Sequence, residues 1–379
     1  MLDVRLLQAD ELKAAVQLSD RTFRTSGQSS MAEAFPHVFS SSLQQSYGAF
    51  ADGKLVSFVG LVPCVVRVGS ARLNVYSLGS VCTHPDYRGR GYAGAVLNCI
   101  LSHTDKAGAS LLLVSGYGPL YTRMDCFRFG AVTRFAIEPD SAAVIARNAV
   151  VANEHLRELE PTDWFKLAEL ARLREAGHDQ SIWDLANLMQ AQAIASCMKL
   201  HHRVLIAERQ GQVEAFIVVA APSHPDQKNQ ALAIEWAGNP HLIAGALAHA
   251  VQRYQFEQLD VPVSWYEREL VKALTPATNR PDQNLGTVRI VNPERLIRQL
   301  RPYLRAKHQP LSDGLELQRL PDGRIEIRLN GWVDILDARS FVSLMFDPEP
   351  QVNSNPSLLS ALRELFPIPF PYAGGLNYV

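Results

Sequence analysis

The sequence predicts an α+β chain with an α/β-like opening: two successive mixed sheets flanked by helices, followed by a smaller α+β domain. Three observations carry this reading. About the first 140 residues alternate strand and helix signals, including a short, wholly apolar strand of the buried type at Ser110–Ser115. A strand–strand–strand–helix order then recurs between Arg203 and Tyr254. A third stretch opens near Asn279 with a strand, a helix and a hairpin of its own. At 379 residues the chain has room for two or three cores, and the pattern places the domains at 1–147, 148–280 and 281–379.

The first domain begins with a strand at Val4–Leu7 and an amphipathic helix at Asp10–Phe23, whose apolar face is Leu12, Ala15, Val16, Leu18 and Phe23. Strands follow at Tyr47–Ala51, Lys54–Val68 and Arg72–Thr83, separated by the turn signals Asp52-Gly53 and Gly69-Ser70. A helix over Tyr92–Lys106 buries Val96, Leu97, Ile100 and Leu101 and stops at Gly108. After the apolar strand come a helix at Gly116–Met124 and a strand at Arg128–Ile137. In the second domain, Asn148–Glu160 reads as linker plus strand, and Asp163–Ala176 and Ile182–Met198 have helical period. Strands at Arg203–Arg209, Val213–Ala220 and Ala231–Ala237 lead into a helix at Leu242–Tyr254. The third has a strand at Val288–Val291, then a helix at Arg295–Leu304 with Asn292 as N-cap and Pro293 in its first turn. A hairpin, Leu315–Leu320 with Arg324–Asn330, turns at Pro321-Asp322-Gly323, and helices follow at Asp337–Phe346 and Pro356–Phe366.

Composition narrows the function. A net charge of -1 gives nucleic acid or an anionic membrane no electrostatic purchase. No apolar run reaches the length of a membrane span, and the start at Met1-Leu2-Asp3-Val4-Arg5 has no leader pattern, so a cytoplasmic protein is expected. Cys64, Cys82, Cys99, Cys126 and Cys197 lack metal-ligand spacing and read as free thiols, most of them buried. His201 and His202, adjacent on a strand, point to opposite faces and read as solvated rather than as metal ligands. Glu138 and Asp140 are expected at the surface, His84 at a turn, and Phe23, Phe35, Phe39 and Trp332 in the core.

The chemistry concentrates in Val81-Cys82-Thr83-His84-Pro85-Asp86-Tyr87-Arg88-Gly89-Arg90-Gly91-Tyr92-Ala93-Gly94. This is a strand, a short turn and a glycine-interrupted basic loop opening directly into a helix. Backbone N–H groups, the positive end of a helix dipole and two arginines meet there in one small volume. Small residues at Gly89, Gly91 and Ala93 let a pyrophosphate approach the main chain. The spacing fits neither the dinucleotide glycine fingerprint nor a P-loop with its lysine. The other unusual segment is the tail. From Leu365 to Val379 no side chain is charged, and such an apolar, proline-stiffened end must be buried to stay in solution.

The loop resembles the acetyl-CoA pyrophosphate loop of GCN5-related N-acetyltransferases (GNAT), Arg/Gln-x-x-Gly-x-Gly/Ala, with Arg88, Gly91 and Ala93 at the three consensus positions. The element order is similar to that fold, and Leu120-Tyr121-Thr122-Arg123-Met124 with Cys126-Phe127 looks like its Leu-Tyr-x-x-x-Gly-Phe segment, with one extra residue and no glycine. The second domain looks like a degenerate copy, with Asn239-Pro240-His241-Leu242 in place of the basic loop and only Gly238 before it. The third is similar to the sterol-carrier-protein-like domain of the enhanced intracellular survival (Eis) group of aminoglycoside and amine acetyltransferases, whose plan covers essentially the whole chain.

The resemblance implies acetyl-CoA as cosubstrate, no metal, and direct transfer of acetyl to a primary amine. The acceptor class is a small-molecule amine, an aminoglycoside-like molecule or a peptide lysine. Arg88, Gly89, Arg90, Gly91, Tyr92 and Ala93 would hold the pyrophosphate. Backbone groups of Val81 and Thr83 would hold the pantetheine arm, their N–H groups polarising the carbonyl, with Cys82 between them also at the cofactor. Tyr121 would be the general acid, a phenol of pKa roughly 10 matched to a thiol of roughly 8.5. The Val379 α-carboxylate, threaded into the first domain, would be the base; a homo-oligomer, hexamers included, is implied as well. A reading from another class remains beside it: a ligand- or lipid-binding scaffold with a vestigial acetyltransferase domain. An apolar cavity in the third domain would favour that reading.

Overall fold

The computed structural model describes residues 2–149, 154–223 and 230–379, so linker positions 150–153 and the start residue Met1 lie outside the described residues. The fold is mixed α+β, and two compact units divide it. One comprises the chain up to Gly130, Leu285–Pro369 and Val379; the other comprises Ala131–Asn284 and Phe370–Tyr378.

In the first unit the strands lie in the order Leu2–Leu6, Tyr47–Ala51, Lys54–Val68, Ala71–Thr83, Leu111–Val114, Thr287–Ile290. Only Ala71–Thr83 and Leu111–Val114 run parallel, which requires a crossover. The helix Tyr92–Lys106 supplies it, packing Val96, Leu97 and Ile100 on Val59, Leu61, Leu78, Leu112 and Val114. The parallel ladder ends at Leu78 opposite Val114. Beyond that point Gly79–Thr83 continues, paired only to Lys54–Val68 and bulged at Ser80-Val81, where Ser80 has φ 52°. From Pro293 a helix runs to a break at His308 and resumes to Gly314. It ties back to the crossover helix, Arg295 Nη1 donating to Ala109 O at 2.6 Å and to Asp105 at 3.2 Å.

In the second unit the order is Thr278–Gln283, Ala131–Ile137, Leu259–Ser264, Ala231–Gly238, Gln212–Pro222, Leu200–Arg209, Glu154–Glu158. Again one neighbouring pair is parallel, Ala231–Gly238 with Leu259–Ser264, joined by the helix Pro240–Arg253. Alternation along Gln212–Pro222 splits the core. Ala215, Ile217, Val219 and Ala221 face the helices Pro139–Asn148 and Pro240–Arg253, whereas Phe216, Val218 and Ala220 face Leu167, Leu185 and Leu188.

Several expectations need correction. Ala131–Ile137, read as the end of the first domain, pairs in the second sheet between Leu259–Ser264 and Thr278–Gln283. The place beside Leu111–Val114 is taken by Thr287–Ile290, which arrives from far along the chain. The helix expected over Gly116–Met124 is a single turn, Pro119–Thr122, because Gly118 at φ 130° cannot continue it. Ile182–Met198 breaks at Gln192, which is left-handed (φ 55°). The hairpin gains a third strand, Trp332–Leu336. Phe23 and Trp332 are exposed, not core, while Phe35 and Phe39 are buried as expected. Cys197 is exposed, and only Cys82 and Cys126 among the thiols are fully buried.

His202 is not solvated: its Nδ1 lies 2.9 Å from Met189 O, and its Nε2 is buried with no hydrogen-bond partner among the described residues. Burial pushes its pKa down to about 4, and that of His178 to about 3. The unfolded chain therefore binds these protons near the ordinary value of about 6.5, well before the folded one. Stability is complete above that pH and falls as pH drops toward 4, with a slope approaching about 1.4 kcal/mol per pH unit for each histidine. Urea unfolding at pH 7 and pH 5 checks this. His202→Gln should flatten the dependence by one proton's worth, and an unchanged slope would contradict the assignment.

Candidate active site

The candidate loop follows directly from the bulged strand. Pro85–Tyr87 forms a 3-10 turn, and Gly91, left-handed at φ 81°, is the N-cap of Tyr92–Lys106. Among the described residues no side chain caps that helix, so its first N–H groups remain available to a ligand. Gly89 is also left-handed (φ 75°), and a Cβ at either glycine would meet nothing within 4 Å. These glycines are thus required by backbone conformation, and the space before them is open. Arg88 donates Nε to Thr83 O (3.2 Å), which fastens the loop to the strand. Arg90 lies with its guanidinium 5.3 Å from the Tyr87 ring centroid, and the Tyr87 and Tyr92 rings lie 6.0 Å apart. Both arginines are exposed; Ala93 is half-buried in the first helical turn.

The expected strand residues divide by face. Cys82 is buried, with Sγ 3.7 Å from Ser19 Oγ, and burial pushes its thiol up to about 11. Its side chain belongs to the core, so only its backbone can serve a ligand. Val81 and Thr83 are half-buried, and Thr83 Oγ1 lies 2.8 Å from Ser57 Oγ. His84 N donates to Val56 O (2.8 Å) and its ring stacks edge-on against Tyr87 at 5.7 Å. It braces the turn.

Tyr121 sits in the single helical turn after the apolar strand, with its ring over Gly116. A Cβ on Gly116 would come within 2.8 Å of ring carbon Cε2. Burial raises the phenol's pKa, with Cys126 adding to it, so the hydroxyl stays protonated at neutral pH. Among the described residues no hydrogen bond holds that hydroxyl. The extra residue after Tyr121 has a structural answer: Asp125 turns left-handed (φ 53°), and Arg289 pairs with it at 2.8 Å. Cys126 is pushed up to about 12 by burial. A neutral thiol is a poor nucleophile, so covalent transfer through it is disfavoured.

The tail is buried, as its composition requires. Ile368 and Phe370 are core residues. In the second unit Leu376 packs with Leu185, Leu188 and Ile234, a burial contributing about 1.5–3 kcal/mol. Asn284 clamps the tail main chain, donating Nδ2 to Pro371 O (2.9 Å) and accepting from Ala373 N (2.7 Å). Arg134 donates to the Tyr372 hydroxyl (3.0 Å), and Asn377 accepts from Gln180 (2.9 Å). In the first unit the backbone carbonyl of Val379 lies where a Cβ on Gly79 would fall. Gly79 therefore has to be glycine. It stands at the end of the parallel ladder, the residue next to the Ser80-Val81 bulge.

Sequence reading missed Gly79, Gly116 and Arg289. A Gly-Ser pair inside a long strand is a bulge signal and pointed to Gly79. Arg289 carried no local signal, being 164 residues from Asp125. His201 is exposed, and Glu138 and Asp140 lie at the surface. Among the described residues no three His, Cys, Asp or Glu side chains gather as a metal site would require, and no helix is long and apolar enough to cross a membrane. The cavity beside the C-terminal sheet, about 310 Å³, is lined by Ile297, Leu315 and Leu317 together with Glu294, Arg301, Glu316, Gln318, Glu326 and Arg328.

Residues 3–129 match the model of the acetyltransferase (GNAT) domain. No curated protein matches the chain. Among solved structures, a GCN5-related N-acetyltransferase from Anabaena variabilis is 14% identical, with a TM-score of 0.68 over 98% of this chain and 99% of that one. One from Kribbella flavida is 12% identical, TM-score 0.66, over 98% and 99%. Eis1 from Mycobacterium abscessus is 14% identical, TM-score 0.65, over 97% of each chain. At such identities the likeness is one of fold. The domain match over residues 3–129 makes the chain an acyltransferase.

Proposed function

We propose that this acyltransferase, with its GNAT domain at residues 3–129, is an acetyl-CoA-dependent N-acetyltransferase acting on a primary amine. The single observation that supports this most is the helix N-terminus at Gly91, uncapped by any side chain and open before Gly89 and Gly91, with Arg88 and Arg90 beside it. An uncapped helix N-terminus with two guanidiniums beside it suits an anionic pyrophosphate. When bound, acetyl-CoA supplies an activated acyl thioester. The chain's residues do the rest. Backbone groups of Val81 and Thr83, beyond the end of the parallel ladder, align the arm and polarise the carbonyl through N–H donation, with Cys82 between them at the cofactor. The Tyr121 hydroxyl, protonated and unengaged, donates its proton to the departing sulfur. The Val379 carboxylate, seated against Gly79, accepts the proton that the amine loses.

The same reading takes residues 148–280 as a GNAT-like domain that binds no cofactor. Supporting this, Asn239 caps the equivalent helix itself, its Oδ1 accepting from His241 N (2.9 Å) and Leu242 N (3.4 Å). Residues 281–379 are taken as the sterol-carrier-protein-like domain of an Eis-like, cytoplasmic homo-oligomer, with the acceptor a small amine, an aminoglycoside-like molecule or a peptide lysine. Incubating the protein with acetyl-CoA and a panel of primary amines, and following free CoA with a thiol reagent, tests the proposal. At least one amine should release CoA well above the rate with acetyl-CoA alone. Background release with every amine would contradict it.

A further inference from the structure

The second unit holds a cavity of about 450 Å³ that plays no part in the proposed transfer. Its origin lies in the sheet. The parallel strands Ala231–Gly238 and Leu259–Ser264 are paired only at Ala231 opposite Leu259 and Leu232 opposite Asp260. Past that point the residues from Ile234 to Gly238, and Ser264, line the cavity wall instead of bonding to one another. Trp236, Tyr266 and Tyr372 supply aromatic walls, and Ile243 and Leu270 add apolar surface.

One carboxyl in this wall is held by hydrogen bonds and, among the described residues, has no ion pair of its own. The Glu267 carboxyl accepts from Trp236 Nε1 (2.7 Å) and from Ser264 N (3.3 Å), both neutral donors. Among the described residues it forms no ion pair, and the guanidinium of Arg174, which also lines the cavity, is paired with Glu235. Burial raises the Glu267 pKa, opposed by its two hydrogen bonds and by the nearby Arg174 guanidinium. Two oriented N–H donors hold it in place nonetheless. The cavity thus offers the Glu267 carboxyl, fixed by these donors, at the edge of an aromatic chamber whose lining also includes Glu175, Arg268 and Glu269.

We propose that this cavity is a binding site for a small organic cation, with an ammonium group paired to Glu267 and an apolar or aromatic body between Trp236, Tyr266 and Tyr372. An ammonium pairs directly with the carboxyl and also gains from aromatic faces. A phosphorylated ligand is disfavoured. The neighbouring helix is capped by Asn239, and among the lining groups the carboxyls of Glu175, Glu235, Glu267 and Glu269 outnumber the guanidiniums of Arg174 and Arg268. The volume admits a ligand of about a dozen heavy atoms. The site stands apart from acetyl transfer and is tested without acetyl-CoA.

The full chain is titrated with 2-phenylethylamine, 2-phenylethanol and 3-phenylpropanoate, a matched cation, neutral and anion. Calorimetry and tryptophan fluorescence give the readout. The cation should bind at least about tenfold more tightly than the alcohol, and the anion not at all. Glu267→Gln should abolish the preference for the cation, and Trp236→Phe should remove most of the fluorescence change. Equal affinity for amine and alcohol in the unaltered protein overturns the proposal without any variant. So does cation binding that Glu267→Gln leaves unchanged.

Discussion

Tyr121→Phe is expected to lower kcat by roughly 10²-fold or more while leaving the KM for acetyl-CoA within a factor of about two. The substitution keeps the ring, which fills the space over Gly116, and removes only a hydroxyl that no described residue engages. Packing and cofactor contacts are therefore preserved, and what disappears is the proton delivered to sulfur. A hundredfold loss corresponds to about 2.7 kcal/mol of barrier. Thiol release under saturating acetyl-CoA measures it. Gly116→Ala provides an independent check, because its new methyl group meets the ring at 2.8 Å and must push the hydroxyl away. Near-normal kcat in Tyr121→Phe would assign the proton to another donor.

Removing Val379 is expected to be equally damaging. The carboxyl sits against the Gly79 backbone, and truncation at Tyr378 or extension by one alanine moves the only anionic group of the tail. Loss of a positioned base costs roughly 10²–10⁴-fold in kcat. CoA binding should persist, since the loop at 88–93 is untouched. The tail should also stay docked, because Asn284, Arg134 and the burial of Leu376 hold residues upstream of the change. Gly79→Ala mimics the loss by placing a Cβ on the carboxyl itself. A truncated chain that turns over at the normal rate would show that water or another side chain takes the amine proton.

Much of the architecture was legible because it is local. Tyr47–Ala51, Lys54–Val68 and Tyr92–Lys106 have the bounds that period and turn residues predict. Asp52-Gly53 and the left-handed Gly91 mark where the chain must turn. The exchange of Ala131–Ile137 and Thr287–Ile290 between sheets was not legible, since strand pairing depends on which partner is free and not on the strand's own residues. The apolar tail announced its burial, yet nothing in its sequence named Asn284 or Gly79 as the places where it is held. His202 looked like a surface strand histidine because alternation assigns a face but not how well that face is covered. The cavity beside Glu267 was invisible for the same reason: it comes from the parting of two strands more than twenty residues apart.

Titration calorimetry with CoA decides most directly whether the loop at 88–93 grips a pyrophosphate. The unaltered protein should bind with a saturable signal, and Arg88→Glu combined with Arg90→Glu should weaken binding by about a hundredfold or more, since two attractive charges become repulsive beside an unchanged helix terminus. No saturable binding to the unaltered protein at about 1 mM CoA, a concentration at the weak end for such ligands, would contradict the account. Equal affinity in the charge-reversed variant would do the same.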